Sequence, residues 1–315
     1  MSILSICIPT YNRVNDLLYN IRIIKDIIIS KNIYKDVSVI ISDNCSPDNT
    51  YNIISQEISL YEKIQINVFK QNSNIGGPKN THFTISKANT DFCMLLGDDD
   101  YINADYLVGV VNEIKTNKDL ACVFPSNRAI YPDKTYVNGI GQNLNIKKRY
   151  YKKGFLNCYM NISKATQLSG LTFKKGELLK LFSEKNMNNL YPQVFFMMKS
   201  CLNGQALFLA DFPVLVTHIP QIQKDWDYGD YALLPDIFEN CINLDLSMIK
   251  CSLLEIRLIT GAKYLLRTLK YKNIISLAKN ENTYFIAGCF LLLYTPFIKF
   301  EKVLKNIYWK FKRIY

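Results

Sequence analysis

The first 125 residues alternate between short apolar runs and segments in which apolar residues recur every three or four positions, and this alternation restricts the fold most strongly. The runs of strand length are 2–8, 37–41, 64–69, 92–96 and 121–124. The segments of helical period are 14–30, 48–61, 77–87 and 104–117. Strands that alternate with helices form a mostly parallel sheet with helices on both faces. Ligands of such α/β sheets bind beyond the carboxyl ends of the strands, so we expect the functional site there.

The distribution of charge divides the 315-residue chain into two regions. From Lys250 to Tyr315 there are 13 Lys and Arg against 3 Asp and Glu, whereas the preceding residues carry 25 against 24. Residues 131–226 are less periodic, with a helix expected near 193–202 and a strand near 206–209. We therefore predict a nearly neutral α/β domain over 1–235 and a basic helical region over 236–315.

The basic region combines its charge with apolar residues at helical spacing, which is the composition of a helix that lies on anionic lipid. The apolar positions of its last segment are Phe300, Val303, Leu304, Ile307, Tyr308, Phe311 and Ile314. An ordinary helical subdomain packed on the body is the alternative. Nucleic-acid binding is disfavoured, because no recognised binding motif accompanies the charge.

Localisation signals are few. No apolar run reaches the roughly 18 residues of a spanning helix, and residues 1–13 lack the pattern of a signal peptide. The nine cysteines include no C-x-x-C pair, so reduced and mostly buried thiols are expected. These features predict a cytoplasmic protein bound peripherally to the inner face of the cell membrane.

Three successive carboxylates, Asp98, Asp99 and Asp100, follow the apolar run 92–96. Like charges so close together repel each other, and a divalent cation with hard oxygen ligands removes that cost. Mg²⁺ or Mn²⁺ would also bridge the oxygens of a diphosphate. The alternative is a solvated acidic turn that caps the helix beginning at Ala104.

Four motifs occur in order at the ends of the predicted strands: 5–13 (SICIPTYNR), 40–46 (IISDNCS), 72–77 (NSNIGG) and 96–100 (LGDDD). Together they resemble family 2 glycosyltransferases of the GT-A fold, of the type that builds bacterial surface polysaccharides. The resemblance is strong over about residues 1–125 and weak over 126–220. It implies a Rossmann-like GT-A fold and a donor that is a nucleotide-diphospho-sugar.

The resemblance implies a role for each motif. The residues of the first loop that hold the nucleotide are Pro9, Thr10, Tyr11 and Arg13. Those of the third loop, where absent side chains admit ribose and diphosphate, are Asn74, Gly76 and Gly77. Asp98 and Asp100 match the D-x-D pair that binds ribose and metal, and Asp99 can replace either. Asp43 matches the residue that accepts the imide N–H of uracil or thymine, which suits a carboxylate because it only accepts hydrogen bonds.

The catalytic base departs from the family pattern. Family members carry a Glu-Asp pair, whose Asp is the general base, before a glycine, and counting back eleven residues from Gly204 reaches Gln193. A glutamine cannot take up a proton at neutral pH. The carboxylates that could replace it are Asp225, Asp227, Asp230 and Glu177. His218, at the end of an apolar run, is a candidate third metal ligand, although a histidine satisfied by the backbone is an alternative.

The sequence therefore predicts an inverting, Mn²⁺- or Mg²⁺-dependent glycosyltransferase. It would move a sugar from a nucleotide-diphospho-sugar, preferably a UDP-sugar, to a hydroxyl of a lipid-linked or cell-surface glycan. One alternative is a catalytically inactive GT-A module that acts as a binding or scaffold subunit, which Gln193 favours. Another is a sugar nucleotidyltransferase, although the loop at residues 9–13 is not the glycine-rich basic loop that such enzymes carry.

Overall fold

The computed structural model describes residues 2–142, 148–184, 189–218, 233–261, 266 and 269–312. Its strands are β1 (Leu4–Thr10), β2 (Val37–Asp43), β3 (Gln65–Lys70), β4 (Phe92–Leu95), β5 (Leu120–Ile130), β6 (Tyr136–Gln142), β7 (Arg149–Tyr151), β8 (Thr172–Lys174) and β9 (Gln205–Thr217). Its helices are α1 (Val14–Ser30), α2 (Thr50–Ile58), α3 (Gly77–Ser86), α4 (Ala104–Thr116), α5 (Phe155–Asn161), α6 (Leu178–Glu184), α7 (Pro192–Asn203), α8 (Leu233–Ile242), α9 (Met248–Gly261), α10 (Tyr271–Ala278) and α11 (Phe285–Lys312).

All nine strands belong to one sheet in the order β3-β2-β1-β4-β8-β5-β9-β7, with β6 paired to β5. β1 pairs in parallel with β2 and β4, and β3 and β9 pair in parallel with β2 and β5. β6, β7 and β8 run in the opposite direction to their neighbours. The expected mostly parallel α/β sheet is confirmed, and its parallel strands all end at one edge.

Helices cover both faces of the sheet, and each face has its own apolar core. On one face the core includes Leu17 of α1 and Leu107 of α4. On the other it joins Phe196 of α7 to Phe238 and Leu254 of α8 and α9. The periodic apolar residues of α1 are the ones it buries, so the helical spacing read from the sequence reports this packing. The second core crosses residue 235, and the domain boundary placed there stays a prediction.

β9 is longer than the sequence indicated. The expected strand near 206–209 and the apolar run ending at His218 are one strand that passes through Pro213. Its register against β5 runs from Leu209 opposite Pro125 to Val214 opposite Asn127, so four residues of β9 stand opposite one of β5. Proline lacks the N–H that a ladder needs and is tolerated at such a bulge.

Candidate active site

The carboxyl ends of β1, β2 and β4 bring the predicted motifs together. Thr10, the last residue of β1, donates its hydroxyl to Asp98 Oδ2 at 2.7 Å. Arg13 Nη1 lies 3.0 Å from Asp98 Oδ1 and 2.7 Å from Asp99 Oδ2. The first and fourth motifs are thus joined by direct contacts. We call the edge that carries Asp43, Asp98, Asp99 and Asp100 the carboxylate edge.

Asp100 is held by residues from two distant parts of the chain. Its Oδ1 accepts the Thr217 N–H at 2.7 Å, and its Oδ2 accepts the Ser169 hydroxyl. Ser169 Oγ also accepts the N–H of Gly97 at 2.9 Å, so one hydroxyl fixes both ends of the acidic turn. Thr217 donates its own hydroxyl to the Asp99 carbonyl. The carboxylates therefore have fixed positions, and the solvated-turn alternative does not describe them.

Burial controls the electrostatics of this turn. Asp98 and Asp100 are only 7% and 5% exposed. Burial raises the pKa of Asp98 to about 6, although the Arg13 guanidinium opposes that rise. Burial, followed by the neighbouring Asp99 charge, raises the pKa of Asp100 to about 7. A group that burial pushes toward its neutral form gains from a cation placed beside it, and Arg13 alone does not remove the cost.

Asp43 is the last residue of β2, and its two carboxylate oxygens have different surroundings. Oδ1 accepts the N–H of Ser46 at 3.1 Å and also its hydroxyl. Oδ2 is buried and has no hydrogen-bond partner among the described residues. An unpaired buried carboxylate oxygen is costly, so a donor from a ligand would be well matched to it.

The loop after β3 is tied to the loop after β2. Asn44 Nδ2 donates to Asn74 Oδ1 at 2.8 Å, and Asn44 Oδ1 accepts the Ile75 N–H at 2.9 Å. Gly76 has φ +84, which favours glycine. A Cβ added at Gly76 or Gly77 would meet nothing within 4 Å. Open space therefore lies beside both glycines, as the predicted binding of ribose and diphosphate requires.

His218 directly follows the residue that holds the acidic turn. Its backbone N–H donates to the Ile130 carbonyl at 2.7 Å, and its side chain is exposed. It lines a cavity of about 240 Å³ together with Gln167 and Thr217. Gln167 Nε2 in turn approaches Asp100 Oδ2 at 3.5 Å. The cavity therefore lies next to the carboxylate edge, and metal ligation by His218 stays a prediction.

The base candidates fall into three groups. Gln193 is buried, its Oε1 has no partner among the described residues, and its Nε2 approaches the Thr166 carbonyl at 3.5 Å. Thr166 directly precedes Gln167, whose amide approaches Asp100. Gln193 is therefore connected to the acidic turn through these two residues. Asp225, Asp227 and Asp230 lie outside the described residues. Glu177 is excluded, because it lines a recess at the opposite edge of the sheet.

Among the described residues, no group of three His, Cys, Asp or Glu side chains is arranged to hold a metal ion. Two buried carboxylates nevertheless fit a divalent cation that keeps only one or two protein ligands and completes its shell with substrate phosphates, as Mg²⁺ does. The raised pKa values of Asp98 and Asp100 are the observation that supports this fit. A site with a complete protein ligand shell is not what these residues form.

Several site residues have no signal in the sequence. They include Asn20, whose amide reaches the Gly97 carbonyl at 3.1 Å, and the three residues around Asp100, which are Gln167, Ser169 and Thr217. Of these, only Thr217 stood next to a residue that the sequence singled out. Pro9 and Tyr11 flank Thr10 as expected, with Tyr11 44% exposed at the mouth of the site.

Comparison with solved structures defines the class of fold. S. aureus TarS, residues 1–349, superposes with a TM-score of 0.64 at 16% identity, covering 95% of this chain and 88% of that one. Its complex with UDP-GlcNAc gives 0.61 at 16% identity, over 96% and 92%. The mannosyltransferase PcManGT from Pyrobaculum calidifontis, in complex with GDP-Man and Mn²⁺, gives 0.54 at 12% identity, over 92% and 87%. The chain has the GT-A fold of these structures.

Sequence comparison gives the family. The model for glycosyl transferase family 2 matches residues 5–198, which is more than half of the chain, and the chain belongs to that family. Abequosyltransferase RfbV of Salmonella typhimurium is 31% identical over 119 residues, which are 38% of this chain and 34% of the relative. Chondroitin synthase of Pasteurella multocida is 30% identical over 135 residues, which are 43% and 13%. The matches thus cover 34% and 13% of the length of these two relatives.

Proposed function

We propose that the chain is an inverting glycosyltransferase that uses a UDP-sugar and transfers its sugar to a hydroxyl of a lipid-linked or cell-surface glycan. The observation that carries the proposal is the row of three carboxylates fixed at the end of β4, two of them almost fully buried. UDP is favoured because Asp43 keeps a buried acceptor free. The UDP and UDP-GlcNAc complexes of the similar structure TarS are consistent with this choice.

The same proposal includes Mn²⁺ or Mg²⁺ at the carboxylate edge, held by Asp98 and Asp100, with substrate phosphates in place of the third protein ligand that the sequence suggested at His218. Such an ion neutralises charge that develops on a departing diphosphate. Arg13, already paired with Asp98 and Asp99, adds a fixed positive charge at the same place. Gly76 and Gly77 leave room for ribose and diphosphate, and Asp43 orients the base. The proposed proton acceptor is Asp225 or Asp227, because Gln193 cannot serve.

Donor hydrolysis followed by mass spectrometry tests this function. We expect UDP and free sugar from a UDP-sugar, with the rate abolished by EDTA and restored by Mn²⁺. A sugar nucleotidyltransferase would instead release pyrophosphate from UTP and a sugar 1-phosphate. An inactive module would show a thermal shift with UDP-sugar and Mn²⁺ but no product. Either of these outcomes would contradict the proposal.

We also propose that the C-terminal helices bind the anionic inner face of the cell membrane. Helix α11 exposes Phe285, Leu293, Phe297 and Phe300 by 80%, 78%, 66% and 62%. Leu293, Phe297 and Phe300 follow one another at spacings of four and three, Phe285 lies eight positions before Leu293, and no charged residue occurs between 285 and 298. Basic residues follow directly, beginning with Lys299. The side chains from 303 onward lie outside the described part of the chain. No helix in that described part is long and apolar enough to cross a bilayer.

Liposome sedimentation tests the membrane proposal. We expect full-length protein to bind anionic vesicles, to bind neutral vesicles weakly, and to be partly released by high salt, because basic residues near an anionic surface contribute about 1 kcal/mol each. The triple variant L293D/F297D/F300D should lose binding. The matched control I53D/L60D/L156D changes apolar residues that are exposed on other elements. Equal sedimentation of the two triple variants would contradict the proposal.

A further inference from the structure

A second recess lies at the edge of the sheet opposite the carboxylate edge. Its volume is about 860 Å³, and it forms where β5 and β9 begin and β8 ends. Lys174 of β8 stands opposite Phe92, the first residue of β4. β4 spans about 10 Å from Phe92 to Leu95 at the usual rise of a strand, and Asp98 lies in the turn beyond its opposite end. The recess is therefore not part of the donor site.

Lysine dominates the lining of this recess. We call its five lysines, which are Lys118, Lys152, Lys153, Lys174 and Lys175, the lysine edge. Among the described residues that line it, two are acidic, Asp119 and Glu177. Lys175 donates to the Ala88 carbonyl, and the other four lysines are exposed and form no ion pair with a described residue. Five cations around one concavity raise the local concentration of anions.

The remaining lining decides what kind of anion fits. Asn203 and Gln205 add amide groups, and the described lining contains no aromatic residue. Single-stranded nucleic acids bind largely by stacking their bases on aromatic side chains, so this recess lacks their main contact. A bilayer surface does not enter a concavity. A flexible, hydroxyl-rich polyanion matches both the charge and the polar groups.

We propose that the lysine edge is a second binding site, which holds an anionic glycan through its carboxylate or phosphate groups. Lysine suits this role, because its ammonium is a point charge on a flexible stem and tolerates irregular spacing of the anions. The binding does not depend on transfer activity. Its use as an anchor for a growing acceptor chain rests on the function proposed above.

Fluorescence anisotropy with a labelled oligogalacturonate, which carries one carboxylate per sugar, tests the site at 150 mM salt. The variant K152Q/K153Q/K174Q should bind about tenfold more weakly or worse, because three exposed charges are lost. The control K31Q/K35Q/K63Q removes three exposed lysines that do not line the recess and should bind like the wild type. A maltooligosaccharide of equal length should not bind measurably. Both variants should melt at the wild-type temperature, since every replaced side chain is exposed.

Other outcomes would overturn the proposal. Equal losses in the two triple variants would mean non-specific attraction by net charge. Displacement of the labelled glycan by excess UDP would place it in the donor site. Loss of binding to anionic vesicles in K152Q/K153Q/K174Q would make the lysine edge a lipid contact. Failure of sugar transfer would bear on the proposed function alone, because the anisotropy measurement requires no reaction.

Discussion

The two edges of the sheet carry opposite charges and hold them in opposite ways. At the carboxylate edge, Asp98 and Asp100 are buried, and hydroxyls and backbone N–H groups fix their oxygens. At the lysine edge, Lys152, Lys153 and Lys174 are exposed. Burying charge is costly and fixes its position, whereas exposed charge attracts without fixing geometry. Under the two proposals above, the buried charges serve the chemistry and the exposed charges serve capture of a glycan.

Asp100→Asn should produce the largest effect. The variant keeps the size of the side chain but removes a charge that is preorganised beside the diphosphate position, and such a loss lowers turnover by about 100-fold or more. The measurement is the rate of donor hydrolysis at saturating Mn²⁺. Asp105→Asn is the control, because Asp105 is an exposed carboxylate that pairs with Lys31. Wild-type turnover in Asp100→Asn would place the chemistry away from the carboxylate edge.

Asp43→Asn should weaken UDP binding by about 1–3 kcal/mol, the scale of a lost hydrogen bond to a charged group. The Asn oxygen can still accept from Ser46, but its NH₂ then takes the place of Oδ2 and opposes the imide N–H. Calorimetry measures the loss. UDP methylated at the imide nitrogen is the matched probe, and it should bind wild type and variant equally. A wild type that binds methylated UDP as tightly as UDP would remove Asp43 from base recognition.

Glu255 of α9 shows what a buried carboxyl does away from either edge. Burial raises its pKa to about 8, and Oε1 has no partner among the described residues. The folded state therefore keeps a proton that the unfolded state releases above pH 4.5. Between about pH 4.5 and 8, the free energy of unfolding should fall by about 1 kcal/mol per pH unit.

Glu255→Gln should remove the part of that slope that Glu255 contributes, because the amide does not titrate, and should leave the part due to Asp98 and Asp100. Urea denaturation at pH 5, 6, 7 and 8 measures it, with Glu281→Gln as the control on an exposed carboxyl. Parallel pH profiles for wild type and Glu255→Gln would show that Glu255 is ionised in the folded state. Burial would then raise carboxyl pKa values at the carboxylate edge but not at Glu255.

K152Q/K153Q/K174Q should have the smallest effect on donor chemistry. Hydrolysis of the UDP-sugar should stay within about twofold of wild type, because exposed charges at the far end of β4, more than about 10 Å away, are screened beyond a Debye length of about 8 Å. The rate is measured without any acceptor glycan. A change well beyond twofold would show that the two edges are coupled through the sheet.

The sequence predicted the first half of the fold because its signals are local. The apolar spacing of α1 and the strand pattern before Asp98 depend on neighbours within a few residues. β7 and β8 have three residues each, too few to show a period. The partners of Asp100 come from Ser169 and Thr217, which lie 69 and 117 residues further along the chain. Only the folded sheet brings such residues together.

The candidate site also has a part that the sequence predicted and a part that it did not. Motifs at the ends of β1, β2 and β4 were predictable because the carboxyl ends of parallel strands meet at one edge. What those side chains do for one another was not, since the contact of Arg13 with Asp98 and Asp99 depends on how the loop folds back. Glu177 failed as a base candidate because β8 runs antiparallel to β4 and carries the residues after it to the far edge.

The bulge of β9 has a consequence for tolerance to insertions and deletions. Leu209 and Val214 both keep their partners on β5, while the residues between them stand opposite Ser126, whose hydroxyl donates to the Ala210 carbonyl at 2.6 Å. Residues 210–213 are therefore extra residues between two paired parts of the strand. A residue lost or gained at 210–213 alters the size of the bulge, whereas the same change at 214–217 would turn Thr217 to the other face of the sheet. A change of chain length within the bulge therefore leaves the hydrogen bonds between Thr217 and the acidic turn in place.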